Sequence, residues 1–309
     1  MTTATLPLGQ QSLAPRDLLA ALCVVVVWGL NFVAMKIGLQ HFSPFQLGAL
    51  RYGVAAFPMV LLVRRPALPW KWIVLYGLTQ GLGQFGFLFC AMRVGMTASL
   101  ASVLQQTQVF WTALMGFVLL GEHTRRPLQI GMGLAALALL CFALNYHGAA
   151  GTGETTLWGF ALTLCASFMW ASSNIVTRLA SRQAKVPMDP LGFVAWSSLV
   201  PVLPFLALSW WTDAAQSHDA WRDTPWTGWL AVAYLGWGAS LVGYGLWTWL
   251  LQRHPANRVA PFSLGVPLVG MAAGMGLLGE TITAWQWAGV TLVVLALACV
   301  MTGDRWSRS

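Results

Sequence analysis

The sequence predicts an all-α polytopic membrane protein: ten transmembrane helices arranged as two inverted-topology five-helix repeats, with both termini cytoplasmic. Three observations carry this. Of 309 residues, 57% are hydrophobic and only 8% charged, with a mean hydropathy of +0.66; a water-soluble globule would carry about a quarter charged residues. Ten stretches approach the roughly 20 apolar residues that cross about 30 Å of hydrocarbon. The second half of the chain also repeats landmarks of the first in order.

The net charge of +8 and pI near 9.7 do not point to nucleic acid, because the basic residues sit in short connectors between apolar stretches. The five cysteines, Cys23, Cys90, Cys141, Cys165 and Cys299, each lie inside an apolar segment without CxxC spacing, so no disulfide framework or zinc site is expected. The first apolar stretch, Leu18 to Met35, exceeds a signal-peptide core and has no small-residue cleavage site after it, so it is read as a retained span.

The spans are expected at 17–38, 44–63, 72–92, 98–120, 128–145, 157–178, 190–210, 227–251, 258–278 and 285–302. This divides the chain into an N-terminal tail (1–16), a first repeat (17–147), a linker (148–156), a second repeat (157–302) and a C-terminal tail (303–309), with no soluble domain. A cytoplasmic N-terminus places Arg16, Arg64, Arg65, Lys71, Arg125, Arg126, Arg178, Arg182, Lys185, Arg253, Arg258, Arg305 and Arg308 on or near the inner face. Lys36, Arg93 and Arg222 fall outside and Arg51 within a span. Basic loops resist translocation, so this bias favours both termini inside.

Leu120-Gly121-Glu122 recurs as Leu278-Gly279-Glu280, and Gly131 recurs as Gly289, each 158 positions on (121 to 279, 131 to 289). Trp28 with Lys36 matches Trp170 with Arg178, Pro44 and Pro58 match Pro190 and Pro204, and Tyr76 matches Tyr234. An odd number of spans per repeat turns the second copy upside down, the architecture that places a substrate site at the midplane between the halves. Gln129 and Gln286 sit one register apart relative to their glycines.

Trp28-Gly29-Leu30-Asn31-Phe32-Val33, the two Leu-Gly-Glu marks and the five-plus-five duplication together resemble the EamA-type transporters of the drug/metabolite transporter superfamily. The resemblance covers essentially the whole chain and is nearest to bacterial inner-membrane exporters of amino acids and related metabolites. It implies a basket-like bundle, with a central cavity lined by spans 1–4 and 6–9 and with spans 5 and 10 packed outside. A multi-pass location in the bacterial inner membrane and activity as a monomer are expectations of the same kind.

Polar side chains within hydrocarbon are costly and turn towards an interior or a wet path. Span 3 presents Tyr76, Gln80, Gly83, Gln84 and Phe87 at helical spacing, and span 8 presents Tyr234, Trp237, Leu241, Tyr244 and Thr248. Span 4 adds Gln105, Gln108 and midspan Trp111; span 1 adds Trp28, Asn31 and Met35; span 6 adds Ser167, Trp170 and Asn174. The expected substrate-binding set is Asn31, Tyr76, Gln80, Gln84, Gln105, Gln108, Trp111, Trp170, Asn174, Tyr234, Trp237 and Tyr244. A single Ser or Thr is better read as glue between helices, but four glutamines at one level exceed what packing needs. Trp70, Trp226, Trp229 and Trp306 read as an interfacial belt.

Lys36 and Arg178 end their spans, where they can snorkel to headgroups or act as gating charges at opposite mouths. Arg51 lies about 10 Å into its helix and needs a partner, water or substrate. Glu122 and Glu280 are read as ties between short turns and the N-terminus of the next helix. The four glycines in each of spans 3 and 8 read as close packing, and Pro261 and Pro267 as a hinge in span 9. Span interiors hold no Asp, Glu or His, which argues against a buried-carboxylate proton antiporter and against membrane-embedded enzymes of the aspartate-metal, aspartyl-protease and Ser-His types. No cofactor or metal is expected. The function read from this pattern is export of amino acids or amino-acid-like metabolites by alternating access, without obligatory proton coupling. A sugar-phosphate or nucleotide-sugar antiporter using Lys36, Arg51 and Arg258, and a lipid flippase or non-transporting scaffold, remain as alternatives.

Overall fold

The computed structural model describes residues 14–121, 126–145, 155–184, 188–213, 221–254 and 259–306. Among them there are helices and no strands, and seven helices are long and apolar enough to cross a membrane. Glu122, Arg258, both terminal tails up to Leu13 and from Ser307, and most of the 148–156 linker lie outside the described residues.

Helix α1 (Pro15–His41) opens on proline, whose missing N–H costs nothing in a first turn. Helix α2 (Pro44–Ala56) begins on a reciprocal cap, in which Ser43 Oγ accepts from Gln46 N and Gln46 Oε1 accepts from Ser43 N. It stops at extended Phe57 before Pro58, as a residue preceding proline tends to; a short turn, Met59–Leu62, follows. Helix α3 runs from Trp70 to Arg93 but carries a nine-residue π segment, Gly77–Phe85. Helix α4 (98–120) contains a 3₁₀ turn at Gln105–Thr107 and ends on Gly121 in the left-handed region (φ 65°). Helix α5 is Arg126–Leu144.

The second half follows the same sequence of irregularities. Helix α6 (Leu157–Gln183) has the 27-residue length of α1, and α7 is interrupted between Pro190–Ser197 and Val202–Thr212, where Pro201 supplies no N–H. Helix α8 (226–253) carries a nine-residue π segment, Tyr234–Val242. Helix α9 (260–278) opens on a 3₁₀ turn, Ala260–Leu264, and ends on Gly279 at φ 67°. Helix α10 is Ala284–Trp306.

Helix α1 packs on α8 and α9, α2 on α7 and α8, α3 on α6, and α4 on α6 and α9. Helices α5 and α10 pack along one another, and α5 is the least buried of the seven long apolar helices. Small residues set the closest crossings: a Cβ on Gly29 would meet Val269 and the Gly270 backbone, and one on Gly270 would meet Ser102, so α1, α9 and α4 touch nearly backbone to backbone. A Cβ on Gly131 would meet Ala296 O and Val300 of α10, while one on Gly289 would meet the Phe142 ring of α5. The main apolar core joins both halves through Met35, Leu47, Phe89 and Leu104 on one side and Phe160, Phe205, Leu235 and Met271 on the other.

Candidate functional site

The interior of the helical assembly holds a cavity of about 360 Å³. Asn31, Arg51, Tyr76, Gln80, Gln84, Gln105, Gln108, Trp170, Asn174 and Tyr244 all line it. Trp28, Met35, Phe85, Leu88, Gln106, Thr177, Trp247 and Ser263 also line it, and among the described residues no carboxylate does. Its volume is at the small end of the 300–1,000 Å³ usual for ligand cavities.

Local chain geometry delivers these groups. The π segment of α3 places Gln80 and Gln84 on one side, where Gln80 Nε2 donates to Gln84 Oε1. Ser173 Oγ of α6 donates to Gln80 Oε1, and Gln80 Nε2 also lies 3.5 Å from the Tyr244 hydroxyl of α8, so one amide ties three helices. Across the cavity Asn174 Nδ2 donates to Gln108 Oε1 (2.7 Å) and Thr112 Oγ1 (3.1 Å), joining α6 to α4. Trp28 Nε1 donates to Ala239 O (3.0 Å) within the α8 π segment, while its ring lies 5.2 Å from Tyr244 and 5.4 Å from Trp247. The tight 3₁₀ turn brings Gln105, Gln106 and Gln108 to the wall together.

Arg51 is 2% exposed. Its Nη1 donates to Asn31 Oδ1 at 3.2 Å, and its guanidinium lies 3.8 Å from the centre of the Phe85 ring.

Three members of the expected substrate-binding set sit elsewhere. Trp111 packs edge-on against Phe168 at 5.6 Å. Tyr234 donates its hydroxyl to Val27 O (2.8 Å), and Trp237, half exposed, donates to Val54 O (3.1 Å). Phe87 also faces outward, at 39% exposure, while Leu88 faces the cavity. A regular helix turns about 100° per residue and the wider π turns advance by less, so a 3.6-residue stripe drawn through α3 or α8 cannot keep one face across that segment.

Lys36 is not on the cavity wall either. Its Nζ donates to Met92 O (3.1 Å) and Met96 O (2.9 Å), satisfying carbonyls around the C-terminal end of α3. Arg178 is exposed and away from the lining. The Glu280 carboxylate accepts from Ala98 N (2.6 Å) and Ser99 N (2.8 Å), so it ties the turn after α9 to the N-terminus of α4 and not, as expected, to that of the next helix, α10. Trp247 and Thr177, not singled out from sequence, lie three residues beyond Tyr244 and Asn174, where helical spacing could have found them.

The model of the EamA-like transporter family matches the chain twice, over residues 16–144 and 157–302. The chain belongs to this family. Family membership makes it a multi-pass membrane transporter of the bacterial inner membrane, not an enzyme. It is 40% identical over 295 residues to a protein of Salmonella typhimurium described as a probable amino-acid metabolite efflux pump, covering 95% of this chain and 97% of that one. An Escherichia coli protein of the same description is 38% identical over 295 residues, with the same coverage. A crystal structure at 17% identity superposes with a TM-score of 0.61 over 95% of this chain and 99% of the other, which speaks to the fold alone.

Proposed function

We propose that this protein exports amino acids or amino-acid-like metabolites by alternating access through the cavity between two inverted five-helix halves, with both termini cytoplasmic. The observation that carries the reading is the lining itself: residues of both family-matched segments converge on one carboxylate-free chamber of amides, phenols and indoles. Glutamine and asparagine can donate to a carboxylate and accept from an ammonium, and indole faces accommodate an apolar side chain or attract a cation. Relatives of near-full-length similarity described as probable amino-acid metabolite efflux pumps support the same substrate class. The paired irregularities of α3 with α8 and α4 with α9, and the two family matches, support the duplication.

The lining supports a solute of low net charge. Among the described residues of the lining, a strong cation would find no counter-carboxylate and a phosphate dianion would find one cationic side chain, Arg51, because Lys36 is engaged by backbone carbonyls. With no acidic or histidine side chain on the wall among the described residues, transport is expected to proceed without obligatory proton coupling. One chain encloses the whole cavity, so a monomer suffices.

Purified protein in proteoliposomes, presented with a panel of labelled amino acids with and without a pH gradient, tests this. The expected result is flux of neutral amino acids, unchanged by the gradient. Flux of sugar phosphates with none of any amino acid would replace the reading with an anion antiporter, and flux of lipid alone with a flippase.

A further inference from the structure

The polar accounting around the cavity is incomplete in a patterned way. Buried side-chain nitrogens and oxygens in folded proteins nearly always have a hydrogen-bond partner. Among the described residues, those that have none are Arg51 Nε, both amide atoms of Gln105, Ser197 Oγ and Asp17 Oδ1. Asp17 lies at the start of α1, with Arg16 3.6 Å from that oxygen. All the others line the cavity or a chamber of about 20 Å³ that shares Arg51, Gln80, Phe85 and Tyr244 with it and reaches Ser197.

We infer that this cluster is a carboxylate receptor, with Arg51 as the anchor that makes a carboxylate, and not an ammonium, the obligatory feature of the transported solute. This rests on the cavity being the transport site. Arginine stays charged under ordinary conditions, and a buried charge without a counter-ion is among the costliest features a membrane interior can hold. Asn31 supplies one neutral acceptor at Nη1 and the Phe85 ring covers one guanidinium face. Neither neutralises the charge, and among the described residues no Asp or Glu lines either chamber. The Nε edge is left unmatched, and a guanidinium edge is the geometry that takes a carboxylate by two parallel N–H···O bonds.

Gln105 extends the argument. It is 1% exposed, and both its donor and its acceptor are unmatched, so it can serve a solute that offers both, as an amino or acylamino group beside a carboxylate does. Among the described residues an ammonium has no acidic partner on the wall; it is tolerated by amide oxygens and rings, not required. The class that follows is small carboxylic acids carrying a neutral, zwitterionic or acylated nitrogen, with aromatic-lined room for one apolar side chain.

The test is a counterflow competition in proteoliposomes of the full chain, with labelled phenylalanine against unlabelled phenylalanine, N-acetylphenylalanine, phenylalanine amide and phenethylamine. The expected result is that the two carboxylates compete within about tenfold of one another, while the amide and amine are weaker by ~10- to 100-fold, the loss of a charged hydrogen-bonded contact. Arg51→Gln should abolish the preference for acid over amide, Arg51→Lys should retain part of it, and Gln105→Leu should weaken all competitors without changing their order. An amide or amine that competes as well as the acid overturns the carboxylate assignment while leaving amino-acid transport standing, and so does an Arg51→Gln protein that keeps the preference. If Arg51→Gln does not fold, the wild-type panel alone decides. No counterflow of phenylalanine, with labelled sugar phosphate carried instead, overturns the functional reading and the receptor together.

Discussion

Glu280 illustrates how a repeated residue acquires a physical reason. Its carboxylate, 6% exposed, accepts two backbone N–H groups at the start of α4, where the helix leaves its first donors unsatisfied and favours negative charge. Glu280→Leu is expected to destabilise the protein by about 1–3 kcal/mol, and Glu280→Gln by less, because an amide oxygen still accepts. Thermal unfolding in detergent checks this, and an unshifted midpoint for Glu280→Leu would remove the cap from the account. The neighbouring Gly279 sits at φ 67°, a conformation that costs a residue with a Cβ roughly 1–2 kcal/mol. Gly279→Val should therefore lower the midpoint, whereas Gly276→Ala, in a regular turn with open space at the Cβ position, should not. The sequence marks Leu-Gly-Glu twice, and α4 and α9 both end on a left-handed glycine; a tie to a helix start was legible for Glu280, but the helix expected was the next one, α10, whereas the carboxylate reaches α4, a neighbour that only tertiary packing supplies.

At the scale of the element, pattern reading works where helices are regular and slips where they are not. The start of α4 was placed at the residue the structure shows, and α6 runs five residues beyond its expected end (178 to 183) because Arg182 and its polar neighbours continue a helix already past the apolar stretch. The stripes on α3 and α8 identified Tyr76, Gln80, Gln84 and Tyr244 among the lining but missed the cavity face with Phe87, beyond the π segment of α3, and with Tyr234 and Trp237, within that of α8; no residue spacing announces these segments. The glycines of α3 were read as packing residues, and a Cβ on Gly77 or Gly81 would indeed meet Val200 or Pro201 of the α7 break. A π segment differs from an α-helix by one extra residue, so deleting Gly83 should restore regular helix with both flanks in place. The expected outcome is a folded protein without transport, while deletion of Ala138, itself fully buried in the regular helix α5, abolishes folding; size-exclusion profiles and counterflow separate the two. Equal loss of folding in both would argue that the π segment has no such slack.

On the proposed duplication, the two halves of the molecule differ in chemistry. The glycines 158 positions apart face each other's helices: Gly131 packs on α10 and Gly289 packs on α5, so one small-residue mark serves both sides of one interface. The first half brings glutamines and Arg51 to the cavity, and the second brings Trp170, Asn174, Tyr244, Trp247 and Ser263. This asymmetry was visible in the sequence; the coupling of Arg51 to Asn31 and Phe85 was not, because it depends on how α1, α2 and α3 meet. Reporter fusions should place both termini in the cytoplasm and a fusion at Gly151 outside, since the basic connectors fall on one side. A cytoplasmic signal at Gly151 would reverse the proposed topology.

The central claim is that the interior chamber is where the solute sits. In a background without Cys23, Cys90, Cys141, Cys165 and Cys299, a cysteine in place of Asn174 on the chamber wall and another in place of Arg222 in an exposed connector can be titrated with a small thiol reagent in the presence and absence of the best transported amino acid. Solute should slow modification at Asn174→Cys by about tenfold at ten times its half-saturating concentration, as site occupancy requires, and leave Arg222→Cys unchanged. Equal rates at Asn174→Cys with and without a solute that the same protein transports would contradict the account.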